Sequence, residues 1–279
     1  MKKIKILIAF IFILVTTACS ITVNEDMITS PSKEIDSENL RTLQLAYRPV
    51  ELLSEDGSKL FALEKSNSTN STTVVIFHGN ALNLTKQPWF GVLNTLSDLN
   101  VNVLAIDYRG FGKSEGKANF TNMKEDAITA IESISKEQDI FLYGLSLGSV
   151  MAAETAKDPR VKGLIIEGGI TNETDMIDLF KSRKTFGSLF SVELDENLKF
   201  DIPNIVEQSN LPLLVIHGLQ DENIPASMGK SIFAASSNPD SDLYLVEDGG
   251  HCDTFSVDRK AYLKKIDTFI NTVNLRDSK

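Results

Sequence analysis

Asp139-Ile140-Phe141-Leu142-Tyr143-Gly144-Leu145-Ser146-Leu147-Gly148-Ser149-Val150-Met151-Ala152-Ala153 opens as a short apolar run, crosses glycines at 144 and 148, and continues in small and apolar residues suited to a helix. A strand that ends at a glycine-flanked serine and passes at once into a helix predicts a sharp bend with Ser146 at its tip. The glycines let the chain turn tightly and let the helix pack closely on its surroundings. A helix start also brings free backbone N–H groups beside the serine, where they favour a developing negative charge. The G-x-S-x-G spacing alone recurs by chance; the strand before it and the helix after it give it weight.

Outward from this stretch, short apolar runs alternate with longer segments of helical spacing. Residues 73–77, 101–106, 140–143, 161–166 and 211–216 are nearly continuous in apolar side chains, as strands covered on both faces of a parallel sheet are. Residues 242–246 form a sixth run. Between them, 123–135 carries Ile128, Ile131 and Ile134 at helical spacing behind a Thr121 cap, and 147–157 and 258–273 are further helices. Residues 47–53 and 59–64 flank Ser54-Glu55-Asp56-Gly57 and read as a hairpin. Strand–helix alternation implies right-handed crossovers and a doubly wound α/β sheet. The segment 168–203, longer than an ordinary connection and carrying Phe186, Leu189, Phe190 and Leu194, is expected to form a small cap, with an extended surface connection packed on the core as the alternative.

A serine nucleophile needs a base, and three histidines are available. His78 and His217 each follow an apolar run and precede glycine; His251 lies in the glycine-bordered loop Glu247-Asp248-Gly249-Gly250-His251 after the last run. His251 alone lies where the order serine, acid, histidine requires it. Asp221, in the loop after 211–216, is the expected orienting carboxylate, with Glu222 as its neighbouring alternative. Cys252 reads as a small packing residue. Two cysteines and three scattered histidines exclude a disulfide framework and a zinc centre. A net charge of −10 argues against nucleic acid as a partner.

His78-Gly79-Asn80-Ala81, Asp107-Tyr108-Arg109-Gly110-Phe111-Gly112-Lys113-Ser114-Glu115-Gly116, the Ser146 bend, His217-Gly218 with Asp221 and Pro225, and Gly249-Gly250-His251 occur in that order. Together they resemble the α/β-hydrolase superfamily, in its serine-aminopeptidase-like and lysophospholipase-like branch, and are similar to the protein depalmitoylase group. The resemblance spans roughly residues 47–272. It implies an α/β-hydrolase fold with an N-terminal hairpin and a small or absent cap, and acyl transfer through Ser146, His251 and Asp221. It also implies an oxyanion hole made by the backbone N–H groups of Asn80 and Leu147, with Asp107 and Arg109 fixing their loop. An ester or thioester of a small molecule or lipid is the expected substrate, and no cofactor or metal is called for. A serine peptidase and a non-catalytic binding module on the same scaffold are the alternatives.

Lys2, Lys3 and Lys5 precede the apolar run 6–15, then Thr16, Thr17, Ala18 and Cys19. A charged start, a short apolar stretch and a small-residue end describe an export signal over residues 1–18. The run falls short of the ~20 residues a membrane-spanning helix needs. The Ala18-Cys19 junction resembles a bacterial lipoprotein signal, in which the cysteine is lipidated. Thr16 stands where that pattern has Leu or Val, and ordinary signal-peptidase cleavage fits the same residues. The expected location is the bacterial cell envelope, with the chain anchored at Cys19 on the periplasmic or extracellular face. Residues 19–42, polar and without apolar period, are expected to be a flexible tether. Residues 43–275 are expected to be the hydrolase domain.

Overall fold

A computed structural model describes residues 20–67, 70–182 and 191–277. The expected export signal and Cys19 lie outside the described residues. In chain order the strands are β1 (Ser20–Val23), β2 (Arg48–Leu53), β3 (Lys59–Lys65), β4 (Thr72–Phe77), β5 (Asn102–Ile106), β6 (Asp139–Leu145), β7 (Val161–Glu167), β8 (Ser191–Leu194), β9 (Leu213–Gly218) and β10 (Asp242–Val246). The α-helices are α1 (Glu25–Ile28), α2 (Ser37–Leu43), α3 (Trp89–Leu96), α4 (Phe120–Glu132), α5 (Leu147–Thr155), α6 (Glu173–Ser182), α7 (Ile202–Ser209), α8 (Ala226–Ala234), α9 (Thr254–Val257) and α10 (Arg259–Asp277).

Eight strands form one sheet in the order β10-β9-β7-β6-β4-β5-β3-β2. β2 and β3 are the antiparallel hairpin, β3 is antiparallel to β5, and every other neighbouring pair is parallel. Burial on both faces follows the two-residue period of a strand. In β4, Val75 and Phe77 join a core with α4, α5, α7 and α8, while Val74 and Ile76 join a core with α2, α3 and α10. This is the α/β-hydrolase fold. The chain leaves β4 toward β5 on one side and returns to β6 on the other, so a crevice opens at the carboxyl ends of β4 and β6.

Local signals account for most element boundaries, with one shift. The cap of α4 lies two residues before the expected Thr121: Asn119 is the cap, and its side chain accepts the Asn122 N–H at 2.7 Å. Phe120 is then helical and buried, which draws the boundary back.

The structure corrects the expected tether. From residue 20 onward the segment is held on the domain. Ser32 O accepts the Gly112 N–H at 2.7 Å, and Lys33 Nζ donates to Ser114 O at 2.6 Å. Asn83 Nδ2 donates to Glu34 O at 2.8 Å, and Asn39 Nδ2 to Thr85 O at 2.9 Å. α2 then buries Leu43 beneath α3. Polar side chains reaching backbone groups do the docking, so no apolar period marks the segment. β1 pairs in parallel with β8 as a separate two-stranded sheet. Limited digestion at Glu34 and Glu38 tests this arrangement. Cleavage there should be as slow as inside the domain, whereas a free tether would be cut within the first minutes.

Candidate active site

The bend at Ser146 is set by two hydrogen bonds and two close glycine approaches. Ser146 takes φ 53° and ψ −120°, a conformation rare outside glycine that costs on the order of 1–3 kcal/mol. Its N–H donates to Glu167 O at 2.9 Å, and its carbonyl accepts the Ser149 N–H at 2.9 Å. A Cβ on Gly144 would lie 2.3 Å from Gly148 O, and one on Gly148 would lie 2.1 Å from Phe77 O. The helix therefore crosses the end of β4 at a distance only glycine allows.

The structure brings Ser146, His251 and Asp221 together. His251 Nε2 is 3.1 Å from Ser146 Oγ, and its Nδ1 is 2.7 Å from Asp221 Oδ2. With Nδ1–H donating to the carboxylate, Nε2 is free to accept the serine hydroxyl proton. Asp221 Oδ1 accepts the Asn223 and Ile224 N–H groups, both at 2.8 Å. Burial opposes ionisation of Asp221, but hydrogen bonds from His217, His251 and the Ile224 N–H outweigh it and hold the pKa below the ordinary carboxylate range. Glu222, the alternative carboxylate, is exposed beside the buried Asp221.

The other histidines occupy different positions. His78 is fully buried, with Nδ1 on Gly79 O at 2.7 Å and Nε2 3.8 Å from Asp107 Oδ1. Burial pushes its pKa down to about 4, so it stays neutral above that. His217 lies behind Asp221, its Nε2 donating to Ile224 O at 2.9 Å. His251 lines a cavity of about 570 Å3 together with Ser146, Leu147, Asn80 and Ala81, whereas His78 and His217 are fully buried. Among the described residues neither the Asn80 nor the Leu147 N–H is bonded to another protein group. Asp107 accepts the Leu84 and Lys113 N–H groups, and Arg109 pairs with Asp126, so both act as loop-holding residues. Among the described residues, no group of His, Cys, Asp and Glu is arranged to hold a metal.

Sequence reading passed over Glu167, the last residue of β7. It is fully buried and accepts hydrogen bonds from Tyr143, Tyr262 and Thr254 hydroxyls. Burial lifts its pKa, against the pull of those three hydroxyls. Its carbonyl holds the Ser146 N–H, while its carboxylate holds Thr254, three residues after His251. A carboxylate closing the apolar run Leu164-Ile165-Ile166 was the available signal. Cys252 is 7% exposed, and burial pushes its thiol pKa up.

A family model described as serine aminopeptidase, S33, matches residues 68–201, which include Ser146 and end before Asp221 and His251. Protein bem46 of Schizosaccharomyces pombe is 32% identical over 203 residues, covering 67% of this chain and 66% of that protein. The α/β-hydrolase domain-containing protein WAV2 of Arabidopsis thaliana is 28% identical over 240 residues, covering 80% and 78%. Among solved structures, the Pyrococcus furiosus esterase Pf2001 superposes with a TM-score of 0.71 at 19% identity, over 88% of this chain and 99% of that one. The structural likeness and the order of the sheet agree on the α/β-hydrolase fold.

Gly148→Ala should destabilise the fold by at least the ~1–3 kcal/mol of an overpacked core, since the opposing atom is backbone; urea unfolding measures it. Native protein should resist alkylation at Cys252 by iodoacetamide at pH 7, and peptide mapping would detect any adduct.

Proposed function

We propose that this chain is a serine hydrolase that cleaves an ester or thioester by acyl transfer through Ser146, His251 and Asp221. The observation that carries this reading is the unbroken line of contacts from Ser146 Oγ to His251 to Asp221, 3.1 Å and then 2.7 Å, opening on a cavity. In the proposed cycle His251 Nε2 takes the Ser146 proton as Oγ attacks the carbonyl carbon. The oxyanion is received by the Asn80 and Leu147 N–H groups, donors already free and fixed before the charge forms. The alcohol or thiol leaves with the proton from His251, and an acyl-enzyme remains. Water, deprotonated by His251, then attacks that ester and frees the acid. Asp221 orients the imidazole and stabilises its charged form throughout.

A peptidase is the second reading, favoured by the description of the matching family model. The cavity speaks for the ester. Its lining, drawn from the described residues, is largely apolar and includes no carboxylate to receive a peptide amino terminus. The proposed setting is the bacterial envelope, with an anchor at Cys19. Mass spectrometry of the mature N-terminus tests this, and an unmodified Cys19 rejects the anchor.

Ser146→Ala should abolish labelling by a fluorophosphonate probe, and Asp221→Asn should lower kcat by about 10³-fold or more with little change in KM. A panel of p-nitrophenyl esters, an acyl-thioester and an aminoacyl-anilide separates the classes. Turnover of the anilide alone rejects the esterase reading, and absence of Ser146-dependent labelling leaves a non-catalytic binding module.

A further inference from the structure

One wall of the cavity comes from outside the strand–helix repeat. β1 runs parallel to β8, which puts Val23 in register with Leu194, and both side chains line the cavity. α1 adds Met27 and Ile28 to the same wall, and Met27 remains 58% exposed. Contacts around α1 fix this turn in place. Glu25 accepts the Thr121 N–H at 2.7 Å, and Asp26 pairs with Lys117 at 2.7 Å. The segment then fastens onto the cavity floor itself: Asn80 Nδ2 donates to Ile28 O at 2.7 Å, and Asn80 Oδ1 accepts the Ser30 N–H at 2.8 Å. One side-chain amide thus joins the segment to the residue whose N–H is proposed to receive the oxyanion.

We propose that residues 20–30 form a strap that determines acyl-chain specificity, and that the substrate is an ester of a long, apolar acyl chain gripped by Val23, Met27 and Ile28. This rests on the ester-hydrolase reading. The occupant follows from the cavity: it is continuous with Ser146, largely apolar and about 570 Å3 in volume, the size of a pocket for a ligand far larger than an acetyl group. Met27, apolar and exposed at its side, is the kind of surface a bound chain covers. Met176 and Leu179 of α6 complete the lining from the expected cap region.

The test uses the full-length chain and p-nitrophenyl esters from acetyl to dodecanoyl. In the wild type, kcat/KM should rise by up to about fourfold per added methylene until the cavity is filled. Ile28→Ala combined with Met27→Ala should lower the decanoyl-to-acetyl ratio of kcat/KM by about tenfold. Met27→Glu, an exposed position where folding is not at stake, should lower that ratio at least as far. Asn80→Ala keeps the backbone N–H but releases the strap, and should move the ratio the same way. A wild type without preference for long chains overturns the inference, as does an unchanged ratio in the Met27→Glu variant. Fluorophosphonate labelling of the same wild-type preparation separates the two levels. Labelling that depends on Ser146, with an unchanged ratio, rejects the strap alone; no labelling rejects the hydrolase reading beneath it.

Discussion

The contact between Gly148 and the carbonyl of Phe77 governs how this molecule is put together. A helix cannot normally lie that near a strand end, because any side chain would strike the backbone. Once it does, its first turn points into the crevice between β4 and β6, and Ser146 is forced into a left-handed conformation at its tip. The strain has to be held by something rigid. The Glu167 carbonyl takes the Ser146 N–H from one side, and the Ser149 N–H and hydroxyl close on the Ser146 carbonyl from the other. The geometry of the serine is therefore a property of the sheet, and not of a loop free to relax.

Glu167 extends that constraint to the histidine. Its carboxylate collects three hydroxyls, from Tyr143 in β6, Tyr262 in α10 and Thr254 in α9. Burying a carboxylate is costly unless its hydrogen bonds are made, so these three elements are tied to one point. α9 begins three residues after His251, which links the position of the imidazole to the same strand end that fixes the serine. Asp221 is oriented independently, by the Asn223 and Ile224 N–H groups of its own loop.

The strands were legible because both faces of the sheet are covered, which gives β4, β5 and β9 the uninterrupted apolar runs 74–77, 103–106 and 213–216. The Ser146 bend was legible because glycine is the only residue the crossing tolerates. The three histidines were separable by order along the chain, but their burial, decisive for their chemistry, has no signature in the neighbouring residues. Glu167 escaped because a buried acid depends on tyrosines 24 and 95 residues away. The docking of the segment before the hairpin escaped for a different reason. Beyond the strap, Lys33, Asn39 and Asn83 fasten residues 32–39 through polar contacts to backbone, and such residues compose a flexible linker just as well.

That strap also fixes a length. Val23, in the cavity wall, is four residues beyond Cys19, a chain span of no more than about 14 Å. Were Cys19 to carry the proposed anchor, the surface of a bilayer and the cavity wall would be near neighbours, with little slack between them. A catalyst held on so short a leash samples a surface and not a volume. Under that proposal turnover would follow the density of substrate in the plane of the membrane, and a molecule dissolved in the surrounding fluid would compete for Ser146 at a disadvantage.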